Sequence, residues 1–232
     1  MDVLIEGFAQ AWRLLVSGDE GIWAITGLTL QISVAATLVA VLLGVPLGAV
    51  VALRRFRGRP LVLAAANTGM GLPPVVVGLF VTVLLWRSGP LGGLGLLYTP
   101  LAMVVAQAVI ATPVVVALAA TALQQVDADF RPQMEALGAT GLRSFAALLG
   151  EARLPLLAAS MAGFGAVVSE VGAAIMVGGN IEGETRVLTT AAVLATSRGQ
   201  FALAIALGLV LLLLAFTVNL VLTVVQQRQA PR

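Results

Sequence analysis

GIWAITGLTLQISVAATLVAVLLGVPLGAVVAL, residues 21–53, runs without a single charged side chain. A helix crosses a bilayer with about 20 apolar residues, so this stretch is longer than any soluble core helix requires. Three more uncharged runs of spanning length follow, at 60–86, 88–126 and 199–227, and a fourth, 154–181, is broken only by Glu170. Strands of a membrane barrel would alternate polar and apolar side chains, and these runs do not. The expected fold is therefore all-α and polytopic, with five spans at about 22–53, 60–86, 98–125, 154–180 and 199–226.

Composition excludes several classes of function. Hydrophobic residues make up 59% of the 232-residue chain and charged residues 10%, where soluble proteins carry roughly 25% charge. The net charge is +2, and every basic residue is an arginine. Without lysine there is no phosphate-binding G-x-x-x-x-G-K-[ST] loop, so ATP hydrolysis by that route is ruled out. Cys and His are both absent, which removes thiol chemistry and the usual zinc and haem ligands. No metal or cofactor is expected on this chain, and nothing supports nucleic-acid binding.

Arginine placement orients the spans. Putting the Arg54, Arg55, Arg57, Arg59 loop inside leaves Arg131, Arg143, Arg153, Arg228 and Arg232 inside as well, against Arg13, Arg87, Arg186 and Arg198 outside. That asymmetry follows the positive-inside bias and predicts an outer N-terminus, with residues 228–232 as a cytoplasmic tail. Residues 1–20 lack the basic start of a secretory signal. Val3, Leu4, Phe8, Trp12 and Leu15 recur there at helical spacing, predicting a short amphipathic helix at the outer interface. Breakers at Pro73–Pro74, Pro113 and Gly178–Gly179 fit either packing kinks or a gated pathway lined by interrupted helices.

Residues 127–153, DADFRPQMEALGATGLRSFAALLGEAR, form the one sizeable polar stretch on the inner side. Met134, Leu137, Leu142, Phe145, Leu148 and Leu149 alternate with polar residues around Gly138 and Gly141, predicting two short amphipathic helices. Such a pair fits a groove on a partner or rests on lipid, and the pattern serves both.

Glu135, Ala136 and Gly141, with the later Leu154–Pro155, resemble the E-A-A-x-x-x-G loop motif of ABC importer permeases; Leu137 stands where that motif has a second alanine. The stretch 169–201, SEVGAAIMVGGNIEGETRVLTTAAVLATSRGQF, resembles the tungstate permeases within the molybdate and sulfate type. Leu188–Thr189–Thr190 stands where molybdate relatives carry Leu-Pro, which favours tungstate over molybdate or sulfate. The resemblance implies a type I ABC importer permease fold in a prokaryotic inner membrane, working as a homodimer. It implies an external solute-binding protein and a cytoplasmic ATPase dimer that holds ATP and Mg. In this family Glu135, Ala136, Leu137, Gly138 and Gly141 would couple to the ATPase. A passive channel or a secondary transporter is the reading from a different class.

Glu170 lies about 24 Å beyond Leu154 at helical rise. A charge at depth costs roughly 2.5–3.5 kcal/mol, and protonating the acid at neutral pH costs a similar amount, so a partner is expected. A bare carboxylate would repel an oxyanion. Glu170 is thus expected to act as a latch, pairing with Arg186 or Arg198 or capping a broken helix. Hydrogen-bonding candidates for the path or gate are Asn67, Gln107, Thr112, Ser169, Asn180, Arg186 and Thr189, with Thr68 and Thr190 beside them.

Overall fold

The computed structural model describes residues 2–17, 20–127 and 129–229. Three helices are long and apolar enough to cross a membrane: α2 (Glu20–Leu53), α5 (Pro100–Gln124) and α11 (Phe201–Gln229). The other elements are α1 (Asp2–Val16), α3 (Arg59–Met70), α4 (Pro74–Leu85), α6 (Phe130–Ala136), α7 (Leu142–Glu151), α8 (Arg153–Val168), α9 (Gly172–Gly178) and α10 (Leu188–Ser197). Prolines mark several starts, because the first turn of a helix leaves its N–H groups unpaired in any case. Pro60, Pro74 and Pro100 all sit there, and Thr99 caps α5 by accepting the Ala102 N–H at 3.3 Å.

The centre of the molecule is the α2–α5 pair. Ala36, Ala40, Gly44 and Gly48 recur every fourth residue along α2 and are buried. A Cβ on Gly48 would come within 2.8 Å of the Val116 carbonyl oxygen and 2.9 Å of the Ala119 Cβ. Backbones that approach this closely pack through dispersion rather than through a hydrophobic drive, which lipid does not supply. At one end of this pair Ala49, Leu123, Leu148 and Ala152 form a cluster that seats α7. At the opposite end Ile22, Leu188, Ala191, Ala195, Leu207 and Val210 join α10 to α2 and α11.

Two of the predicted spans are broken, the first at its expected Pro73–Pro74 breaker and the other ahead of Gly178–Gly179. The stretch 60–86 is α3 and α4, meeting at 102°, because Pro73 and Pro74 cannot continue the ladder from α3. Gly69 packs α3 against Pro113, near the middle of α5. Likewise 154–180 is α8, an irregular link at 169–171, and the short α9. The decapeptide helix α10 has no counterpart in the predicted spans, being too short to cross and apolar only because it packs on α2 and α11.

The N-terminal helix packs along the start of α11. Ile205 occupies the place a side chain on Gly7 would take, and Ala11 is buried. Leu4, Ile5, Phe8, Trp12 and Val16 face outward. α1 is thus a packed element with an apolar outer face, and the side chains of Val3 and Leu15 lie outside the described residues.

Candidate translocation site

The α8–α9 break places Glu170 at the head of α9. Its side chain is buried, and Oε1 accepts the Ala173 N–H at 2.9 Å. The Ala173 N–H is one of the orphan donors that every helix start leaves, so an acid here satisfies it and favours the positive helix end. Among the described residues the carboxylate meets neither Arg186 nor Arg198. Arg186 instead pairs with Glu182, at 3.0 Å between Nη1 and Oε2.

Around this cap the threonines knit three elements together. The Thr189 hydroxyl donates to the Glu170 carbonyl oxygen at 2.9 Å, which ties the head of α10 to the break. The Leu188 N–H donates to Thr29 Oγ1 at 3.0 Å, tying α10 to α2. Thr190 exchanges two 3.1 Å bonds with the Val187 backbone. Thr185 donates to the Gly178 carbonyl and accepts the Ile181 N–H at 3.0 Å, closing the loop between α9 and α10. Asn180, at φ +53°, reaches the Thr190 carbonyl at 3.5 Å. A buried N–H without a partner costs about 1–3 kcal/mol, so each of these hydroxyls holds backbone in place.

The structure therefore separates the predicted polar residues into two groups. Glu170, Thr189 and Asn180 belong to the knot just described. Ser169 and Thr112 donate to carbonyls of their own helices, Gly165 at 2.9 Å and Ala108 at 2.6 Å, so those hydroxyl protons are already engaged. Gln107 is buried, and among the described residues its Oε1 has no hydrogen-bond partner. Arg186 lines a depression of about 590 Å3 together with Glu182 and Glu184, whose charges oppose its own.

Asn67 is different. α3 turns Ala66 and Gly69 toward α5 and leaves Asn67 and Thr68 exposed, next to the exposed break at Gly71, Leu72 and Pro73. Lipid penalises an amide, and irregular backbone at membrane depth occurs where it lines water or another protein surface. Thr29 and Thr185 were not among the candidates. Nothing in the sequence flags Thr29, whose partner is 159 positions away.

At the other end α6 and α7 form the predicted amphipathic pair. Gly138 at φ +80° and Gly141 at φ +52° make the turn between them, in backbone regions that other residues enter at a cost. Phe130, Phe145, Leu148 and Leu149 face the ends of α2 and α5. Leu137 and Leu142 point away at 78% and 81% exposure, and Ala136 is exposed beside them. The Glu135 side chain lies outside the described residues.

Three long apolar helices, two bent helix pairs and a helical loop seated on the bundle's end define a polytopic α-helical membrane protein. The chain belongs to the family described as binding-protein-dependent transport system inner membrane component, whose model matches residues 44–232. It is 37% identical over 227 residues to the tungstate uptake system permease protein TupB of Peptoclostridium acidaminophilum, covering 98% of this chain and 100% of that one. TupB of Campylobacter jejuni is 34% identical over 221 residues, 95% of this chain and 92% of that protein. A probable anion ABC transporter permease protein of Haloferax volcanii is 41% identical over 201 residues, 84% and 87% of the two chains. Among solved structures, a chain of the MetNI methionine ABC transporter in inward-facing conformations superposes with a TM-score of 0.71 at 18% identity, covering 96% of this chain and 99% of that one. The fold is that of an ABC importer permease.

Proposed function

We propose that this chain is the membrane permease of an ATP-driven tungstate importer, passing oxyanion from an external binding protein to the cytoplasm. The observation that carries this reading is the likeness to two proteins named for tungstate uptake over 98% and 95% of the chain. The loop end, with its arginines, is cytoplasmic, and the N-terminus is outside. Two copies of the chain enclose the path, each contributing the exposed Asn67–Pro73 segment that lipid would penalise. ATP and Mg belong to a separate ATPase pair that docks on Leu137, Leu142 and the neighbouring Glu135 and Ala136.

The packing supports a mechanical route for coupling. Displacing α7 moves the ends of α2 and α5, which it contacts through Leu148. The small-residue stripe of α2 carries that motion along α5 to Pro113, where Gly69 of α3 bears on it. The α3–α4 break then opens or closes the path. At the outer end Glu170 holds α9 and α10 together as one gate element. Weak oxyanion contacts fall to Asn67 and neighbouring backbone, and discrimination between oxyanions falls to the external binding protein.

The test is cellular tungsten and molybdenum content by mass spectrometry at low oxyanion supply. Cells deleted for this chain are compared with cells restored with wild type or Glu135→Ala. Tungsten falling on deletion and returning with wild type but not with the variant is the expected outcome. Tungsten unchanged, with redundant uptake removed, overturns the cargo assignment.

A further inference from the structure

α2 carries an outward stripe of Leu43, Leu47 and Val50, exposed at 53%, 52% and 45%. Their spacing of four and three places them on one helix face. The same face continues, four residues on, to Arg54. Beside the end of this stripe lies a groove of about 460 Å3, walled by Pro46, Ala49 and Leu53 of α2 and by Leu142 and Phe145 of α7. Arg54 stands at its rim.

Three arginines crowd this end. Arg54, Arg55 and Arg57 are all exposed, and among the described residues none of them has an ion-pair partner. Arg59 is occupied differently: its Nε donates to the Val51 carbonyl oxygen at 2.8 Å, satisfying one of the orphan acceptors at the end of α2. An apolar slot opening onto an exposed apolar stripe, with cations at its mouth that have no ion-pair partner among the described residues, is complementary to a molecule with an alkyl chain and an anionic head. A cluster of this kind directly beyond a membrane helix attracts acidic lipid electrostatically.

We propose that the groove between α2 and α7 seats one anionic phospholipid, its phosphate on Arg54, Arg55 and Arg57 and an acyl chain along Val50 and Leu53 against Phe145. The lipid would wedge between a spanning helix and the loop helix. Arginine rather than lysine suits the phosphate, because the guanidinium fork donates two parallel bonds. The apolar slot distinguishes a lipid from a free phosphate, which would use the arginines alone.

Native mass spectrometry of the purified full-length chain, titrated with phosphatidylglycerol or phosphatidylcholine, tests this. Wild type is expected to retain one phosphatidylglycerol and to release phosphatidylcholine. One arginine near an anionic surface is worth about a fivefold factor, so Arg54→Gln/Arg55→Gln/Arg57→Gln should weaken retention roughly a hundredfold. The matching triple Lys variant keeps the charge and should retain lipid, which separates lost binding from misfolding. Val50→Trp fills the slot and should expel the lipid with the arginines intact. Equal retention of the two lipids, or retention unchanged by the Gln triple or by Val50→Trp, overturns the proposal. So does displacement by millimolar glycerol 3-phosphate, which would make this an ordinary phosphate contact. Loss of the ATPase on co-purification of the Gln triple, with lipid retention unchanged, would assign the arginines to a protein interface instead.

Discussion

The two ends of the α2–α5 pair are built on opposite principles. At the α9–α10 end, five polar side chains turn inward and are hydrogen-bonded within the chain: Thr185 and Thr190 are fully buried, and Thr29, Glu170 and Thr189 nearly so. At the α6–α7 end, apolar side chains turn outward instead, with Leu137 and Leu142 about four-fifths exposed. Buried polar groups cost stability unless they are paired, and exposed leucines cost little in a folded monomer. The first end thus engages its polar groups within itself, while the second presents apolar side chains outward, the face on which the proposed ATPase would dock. Substitutions at the two ends should separate stability from partner binding.

The largest effect on the fold is expected at Glu170. Alanine there leaves the Ala173 N–H buried without its acceptor, a loss worth about 1–3 kcal/mol. Thermal unfolding in detergent should show a midpoint several degrees lower. Glu170→Gln keeps an acceptor oxygen and should recover much of that loss. Near-normal uptake in the Gln variant would show that Glu170 acts as a helix cap and not by exchanging a charged partner.

Thr29→Val comes next. It removes the acceptor for the Leu188 N–H at nearly constant volume and should cost about 1–3 kcal/mol. Hydrogen exchange should quicken at the head of α10 and stay unchanged in α7. If both ends quicken together, they are not independent units.

Gly141→Ala forces a Cβ into a backbone conformation worth about 1–3 kcal/mol of strain. The turn is exposed, so it can relax, and the measured loss should fall near the lower limit. ATPase binding by pull-down should weaken more than the thermal midpoint falls. Leu137→Ser with Leu142→Ser should have the smallest effect on the fold, within about 0.5 kcal/mol for exposed positions. The same pair should abolish ATPase co-purification, and retention of the ATPase would show that the loop apex is not the docking surface.

Much of this architecture was legible because lipid imposes a length rule. Residues 21–53 could only be a long apolar helix, and Gly138 with Gly141 marked the turn between α6 and α7. What escaped the sequence lies where length carries no information. Residues 188–197 are too short to span and become a helix only by packing on Ile22 and Leu207. Thr29 is one threonine in an apolar run, and its importance comes from a residue far along the chain. For Glu170 the sequence offered three partners, and geometry selected the nearest, an amide three residues on. Ser169 and Thr112 looked like pathway donors because their hydroxyls count as polar in sequence, although in the helix each is bonded four residues back.

On the function proposed above, this permease moves oxyanion only when an ATPase is docked on its α6–α7 end. The most direct measurement is tungstate accumulation in proteoliposomes containing the chain, with the external binding protein present and the ATPase either present or omitted. Accumulation that requires ATP and the ATPase, and disappears in the Leu137→Ser/Leu142→Ser variant at unchanged thermal midpoint, is the predicted result. Accumulation without the ATPase, or driven by an ion gradient alone, would contradict the account and make the chain a channel or a secondary transporter.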